Sequence, residues 1–187
     1  MTFTEDINKA AEIIFHGGII LYPTDTIWGI GCDATNGTAI AKIYSLKKRE
    51  ETKSMIMLVK DADQIDLYVN NPAKIIINYL IKQDKPTTAI FDSGKNLPVT
   101  LTRNKSIAIR IAKDEFCKAL IEKCGVPLVS TSANISGEKF PGNFHEITEE
   151  IKNGVDYVVQ HRRNDLNIYA PSSIIKLNDT GEIEKIR

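Results

Sequence analysis

Apolar residues along the chain follow two patterns, one at helical spacing and one in short runs or strict alternation. Ile7, Ala10, Ala11 and Ile14 share one helical face and predict a first helix over 4–16. Thr4 is placed to cap it, Glu5 and Asp6 suit its positive end, and Gly17 and Gly18 stop it. A short buried strand over 19–22 follows, ended by Pro23. The same reading predicts helices over 38–46, 63–69, 72–81, 114–123 and 147–153, the fourth with Ala119 and Leu120 turned inward. It predicts strands over 55–59, 87–91, 107–111, 126–130 and 157–160. Two closing strands, 173–177 and 183–186, are separated by the turn residues Asn178, Asp179 and Gly181. Strands and helices mixed in this way point to an α/β layer architecture in a single domain over 1–187, with no repeat or interdomain linker.

Composition narrows the partners. Lysines and arginines number 24, as do aspartates and glutamates, so the chain carries no formal net charge. That balance argues against a general polyanion binder and leaves room for a local cationic pocket. Cys32, Cys117 and Cys124 form no CxxC pair and read as small buried hydrophobes. No apolar run approaches membrane-spanning length and no leader pattern opens the chain, so a cytoplasmic protein with no membrane partner is expected.

Four segments do not look like core. The run YPTDTIWG at 22–29 follows a strand and gathers hydroxyls, a carboxylate and the only tryptophan; a plain turn with Trp28 as core anchor is the competing reading. Lys47-Lys48-Arg49, with Lys53 beyond, stands between a helix and a strand. On an extended loop Lys47 and Arg49 point the same way and suit a polyphosphate, although cations are also ordinary at helix C-termini. The run STSANISG at 130–137 carries hydroxyls and an amide able to cradle phosphate or adenine, or to form a cap or Asx turn. In SIAIR at 106–110, alternation puts Ser106, Ala108 and Arg110 on one strand face and Ile107 and Ile109 on the other. An arginine among such neighbours needs an anion, from the protein or from a ligand.

Other chemistries find no support. There is no GxxxxGK[ST], and Gly29-Ile30-Gly31 lacks a third glycine for a dinucleotide fingerprint. His16, His145 and His161 show no metal-ligand spacing, and no catalytic dyad can be named. His16 reads as a helix-dipole partner, and His161 with Arg162 and Arg163 as a solvated basic run.

Together the segments resemble the YrdC/TsaC family of L-threonylcarbamoyl-adenylate synthases in its short, single-domain form. Residues 22–34 look like the family's YPT(D/E)TxYGLGxDA, 47–49 its KxR, 106–110 its (S/T)VAVR strand, 130–137 its SxSANxSG, and Pro171-Ser172-Ser173-Ile174-Ile175 its PSTVV strand. The resemblance implies an open, twisted mixed sheet with helices and a large concave basic cleft. It implies a nucleotidyltransferase that joins ATP, L-threonine and bicarbonate into threonylcarbamoyl-AMP and pyrophosphate. A downstream threonylcarbamoyl transferase complex would then modify adenosine 37 of tRNA. It assigns Lys47, Arg49, Lys53, Ser106, Ser132, Asn134 and Arg187 to ATP, with Lys47 and Arg49 catalytic. It assigns Thr26, Arg110, Ser130 and Ser173 to threonine. Mg²⁺ is expected to arrive on the triphosphate, with no metal ligand from the protein.

The chain departs from the family pattern at Lys85-Pro86-Thr87-Thr88, Leu58, Phe140 and Lys176. Leu58 is expected to pack the threonine methyl group. Two other readings stay open: a double-stranded-RNA or tRNA-binding module, and a carbamoyl-adenylate-forming domain like those in hydrogenase maturation proteins. Charge balance weighs against the first. The second normally accompanies acylphosphatase and zinc-finger parts that this sequence does not contain.

Overall fold

A computed structural model describes all residues except 52, 53, 103 and 104. Helix α1 (Phe3–Phe15) begins one residue earlier than the predicted 4–16. Thr2, not Thr4, caps it, because only Thr2 has a glutamate three positions on. The Glu5 N–H donates to Thr2 Oγ1 at 3.3 Å, and the Thr2 N–H donates back to Glu5 Oε2 at 2.8 Å. His16 follows as the C-cap, its Nδ1 2.7 Å from the Glu12 carbonyl oxygen. Helices α2 (Gly37–Leu46) and α5 (Glu115–Cys124) are capped by Asn36 and Asp114, whose side chains accept from Ala39 and Cys117. The remaining helices are α3 (Ile65–Tyr68), α4 (Lys74–Lys82) and α6 (Glu149–Gly154), the last preceded by a 3-10 turn, Phe144–Glu146. Among the described residues, no helix is long and apolar enough to cross a membrane.

The strands are β1 (Ile20–Tyr22), β2 (Gly29–Asp33), β3 (Ile56–Val59), β4 (Thr87–Phe91), β5 (Ile107–Ile111), β6 (Leu128–Ser132), β7 (Tyr157–Val158), β8 (Ser173–Leu177) and β9 (Ile183–Lys185). They form one mixed sheet in the order β7-β1-β2-β6-β3-β5-β4-β8-β9. The pairs β1/β7, β3/β5 and β4/β8 are parallel, the others antiparallel. Two differences from the sequence pattern have plain causes. Strand β2 was not anticipated, because Gly-Ile-Gly has no alternation of large side chains to read. Strand β6 starts at 128 rather than 126, since Pro127 has no N–H for the ladder.

Register divides the sheet into two faces. Leu21, Ile30, Met57, Val59, Ala89, Ile107 and Ile109 form one core with Ile40 and Ile43 of α2 and Ile76 and Leu80 of α4. On the other face, Ile20, Tyr22, Leu58 and Leu128 pack against Ile7 and Ile14 of α1 and Phe116 and Leu120 of α5. This α1–α5 layer covers only part of its face. Past Leu58 and Leu128, the same face continues as Gly29, Ser130, Ile56, Ala108 and Ile90 and borders open space.

The expected solvated basic run at 161–163 is instead packed. The His161 ring stacks on Phe116 at 5.3 Å, and the backbone N–H of His161 donates to Asp6 Oδ2 at 2.7 Å. Arg162 pairs with Asp114 at 3.1 Å, and Arg163 donates to the carbonyls of Val158 and Val159. Carboxylates near the N-termini of α1 and α5 draw this segment inward. The three cysteines are free and buried.

Candidate active site

The open part of the sheet face floors a cavity of about 700 Å³, within the range usual for small-molecule sites. Its floor is where strand glycines and small hydroxyl residues sit. A Cβ at Gly29 would stand 3.0 Å from Ser130 Oγ, and one at Gly31 only 2.6 Å from the Tyr22 ring. Glycine is therefore needed at 31, where the Val129 carbonyl oxygen also stands 2.6 Å away, while the fit at 29 is tight against a rotatable hydroxyl. Tyr22 is wholly buried, and burial holds its phenol protonated well above its usual range.

One wall is the 23–28 loop. Thr24 Oγ1 donates its single proton to the Ile27 carbonyl at 2.8 Å and accepts the Thr26 N–H at 3.0 Å. In the 2.9 Å contact between the two threonine hydroxyls, Thr26 is then the donor. Thr26 lines the cavity and so presents lone pairs, not a proton, to a ligand. Trp28 is both core anchor and wall: it is 4% exposed, lies 4.8 Å from Phe144 and borders the cavity.

Arg110 reaches the cavity from β5 while only 3% exposed. Its Nη2 lies 3.0 Å from Asp25 Oδ1, but neither atom is aligned for a hydrogen bond, and Arg110 Nε also lacks a partner. Asp25 Oδ2 accepts the Lys113 N–H at 3.2 Å. Asp25 thus balances the charge of Arg110 without an aligned hydrogen bond between the facing atoms. The strand pattern calls for an anion at Arg110, from the protein or from a ligand, and Asp25 is one from the protein.

The Lys47-Lys48-Arg49 run is not an extended loop. It closes α2 in a Schellman turn, with Lys48 at φ 49°, Lys48 N–H bonded to the Ser45 carbonyl and Arg49 N–H to the Tyr44 carbonyl. The turn sends the three side chains apart. Arg49 lines the cavity, its Nη2 2.8 Å from the Ser54 carbonyl oxygen. Lys48 points outward to Glu150 at 2.8 Å. Lys47 goes inward, 1% exposed, and donates to the carbonyls of Ser132 and Asn134. Burial first, and then the Arg49 charge, pull its pKa down to about 7.

Of the other expected residues, Ser130, Ser132, Ser173 and Arg187 line the cavity with Thr26, Arg49 and Arg110. Arg187 is held by the Ser172 carbonyl at 2.9 Å. Lys47, Asn134 and Ser106 are not on the lining, and Lys53 lies outside the described residues. Asn134 instead donates to the carbonyls of Ile135 and Glu138. Leu58 cannot pack a ligand methyl: it is fully buried under the α1–α5 layer. Phe140 does line the cavity, 38% exposed, whereas Lys176 pairs with Glu184 at 3.5 Å. The described lining carries three arginines and no carboxylate, set among apolar and hydroxyl residues. Among the described residues, no three acidic, histidine or cysteine side chains come together as a metal site would require.

Residues 12–187 match the Sua5/YciO/YrdC family, described as telomere recombination. A protein of Methanocaldococcus jannaschii named putative threonylcarbamoyl-AMP synthase is 36% identical over 168 residues, 89% of this chain and 77% of its own. One from Idiomarina loihiensis, named threonylcarbamoyl-AMP synthase, is 33% identical over 82% of this chain and 85% of its own. The crystal structure of P. abyssi Sua5 complexed with L-threonine shares the fold over all of this chain at a TM-score of 0.87 and 21% identity. The chain spans 54% of that longer protein.

Proposed function

The chain belongs to the Sua5/YciO/YrdC family, and on that premise we propose that it is an L-threonylcarbamoyl-adenylate synthase, a nucleotidyltransferase acting on ATP, L-threonine and bicarbonate. The observation that carries the reading is Arg110: a buried cation on the cavity wall whose carboxylate neighbour, Asp25, faces it without an aligned hydrogen bond. A carboxylate fits the planar guanidinium fork better than any neutral group. Thr26, in the same lining and with only lone pairs left for a ligand, suits an N–H or O–H of the same amino acid.

Arg49 and Arg187 supply positive charge elsewhere in the lining, as a polyphosphate needs. Threonine and bicarbonate condense to a carbamate with loss of water. A carbamate oxygen then attacks the α-phosphorus, the new P–O bond forming as the bond to the β-phosphate oxygen breaks, and pyrophosphate leaves with that electron pair. Two anions must be held together, and positioning of this kind lowers a barrier by about 7–11 kcal/mol in favourable cases. No general base is required, and none of the described lining residues is acidic. The described donor set does not fit a resident metal; Mg²⁺ would be held by the phosphates of ATP.

The product would pass to a threonylcarbamoyl transferase complex acting on tRNA, in the cytoplasm. The test is pyrophosphate release from ATP and Mg²⁺, with and without threonine and bicarbonate, with the adenylate identified by mass. Threonylcarbamoyl-AMP formed only with all substrates supports the reading. Carbamoyl-AMP formed without threonine would replace it with the hydrogenase-maturation type of reaction. No adenylate, together with salt-sensitive RNA binding, would replace it with a nucleic-acid module.

A further inference from the structure

Lys47 is gripped at both ends by one turn of chain. Its ammonium donates to the carbonyl oxygens of Ser132 and Asn134, the second at 2.6 Å, and lies 3.5 Å from Asn134 Oδ1. Its own carbonyl accepts the Ser136 N–H at 2.8 Å. An ammonium has three donors, and three oxygens surround this one, so no donor is left for a ligand. The side chain is 1% exposed and absent from the cavity lining.

We infer that Lys47 is a positioning residue that clamps the 132–136 turn to the end of α2 and does not touch the phosphates. The clamp has an electrostatic consequence for an anionic ligand. Ser132 lines the cavity, yet its carbonyl oxygen is held on Lys47, and the Asn134 carbonyl is held there too. Two negative dipole ends are thereby kept away from the place where phosphates would sit. Adjacent Ala133 spends its N–H on the Trp28 carbonyl at 3.1 Å, which ties the turn to the residue that leads into β2. Lys48 faces solvent and Arg49 faces the cavity, so the run divides into a clamp, a surface ion pair and a ligand-facing cation.

The inference rests on the reading that the cavity takes a nucleotide, and the test separates the two. Lys47→Met keeps the length of the side chain and removes its donors. In ligand-free protein, the amides of Ala133 and Ser136 should exchange about tenfold faster or more, while the Met57 and Ile109 amides of the central strands stay protected. Because the released carbonyls can turn toward the phosphates, ATP should weaken at least as much as adenosine, and only together with that faster exchange. Unchanged exchange, with ATP weakened about tenfold more than adenosine, would instead make Lys47 a phosphate ligand.

If the variant does not fold, the wild-type protein decides the matter through its Lys47 ammonium nitrogen resonance, read at a pH near 6 where the group is charged. Inorganic pyrophosphate should leave that resonance in place while shifting Arg49 Nε. A shift at Lys47 overturns the inference. If neither resonance moves, the nucleotide reading fails, while a Lys47 ammonium that exchanges its protons freely in the ligand-free protein would still sink the clamp.

Discussion

Asp25 and Arg110 meet at 3.0 Å with their side chains 6% and 3% exposed, an ion pair whose facing atoms are not aligned as a hydrogen bond. Such a pair is costly to bury and costlier to break, because either partner alone is an uncompensated charge in a poor dielectric. Here the arginine also borders the cavity, so a ligand anion would meet a guanidinium whose charge Asp25 already answers.

Asp25→Asn should therefore destabilise the ligand-free protein by about 3–5 kcal/mol, the usual cost of orphaning a buried charge. Urea unfolding with and without saturating threonine measures it. Threonine should restore more stability to the variant than to the wild type, since its carboxylate becomes the only counter-charge. A variant as stable as wild type would mean that the pair is electrostatically idle.

Arg110→Lys should raise the KM for threonine with little change in that for ATP, because a two-pronged donor becomes a point charge. Steady-state kinetics with each substrate varied in turn gives the split. A penalty confined to ATP would move Arg110 to the nucleotide side.

Arg49→Ala should lower kcat about 100-fold or more, on the scale of about 3 kcal/mol for one electrostatic donor to a developing charge. Circular dichroism establishes that the variant folds. Wild-type turnover by a folded variant would remove Arg49 from the phosphate site.

Lys47 gives stability a pH dependence of defined sign. Its folded pKa is depressed from 10.5 to about 7 by burial. Below about pH 7 both states hold the proton, and the fold carries the full penalty. Between about 7 and 10.5 the unfolded state binds more protons, so stability rises with pH. The unfolding free energy of wild type minus that of Lys47→Met should therefore increase across that window. A flat or falling difference would show that the three carbonyl oxygens keep the ammonium charged at every pH.

Among amino acids, serine should be a poor but detectable substrate and valine nearly inert. A missing methyl contact costs about 1–3 kcal/mol, whereas a missing hydroxyl leaves a buried polar partner unanswered. Thr26 spends its proton on Thr24 and offers a ligand only lone pairs, so O-methylthreonine should fail along with valine. Efficient turnover of the methyl ether would show that the threonine hydroxyl acts as an acceptor.

The sequence exposed much of this arrangement. Alternation in 106–110 puts Ser106, Ala108 and Arg110 on one face and Ile107 and Ile109 on the other; Ala108 and Arg110 line the cavity and the isoleucines lie in the core, whereas Ser106 is not on the lining. Strands 87–91 and 173–177 lie where their apolar runs put them. What it concealed depends on backbone geometry that has no side-chain signature. Two glycines in β2 hide a strand, and a left-handed Lys48 sends Lys47 and Arg49 in different directions where an extended loop would have aligned them. The partners Asp25 of Arg110 and Asp114 of Arg162 are remote in sequence and become visible only when the sheet and α5 are assembled.

The half-covered sheet face has a consequence for how the protein can change. Along β3 and β5, successive residues alternate between the core beneath α2 and α4 and the face that floors the cavity, so stability and ligand contact are written on interleaved letters of the same strands. Ala108 or Ile56 can be exchanged to reshape the chamber while Met57, Ile107 and Ile109 go on anchoring the strands from behind. Specificity can thus drift one residue at a time with the scaffold untouched.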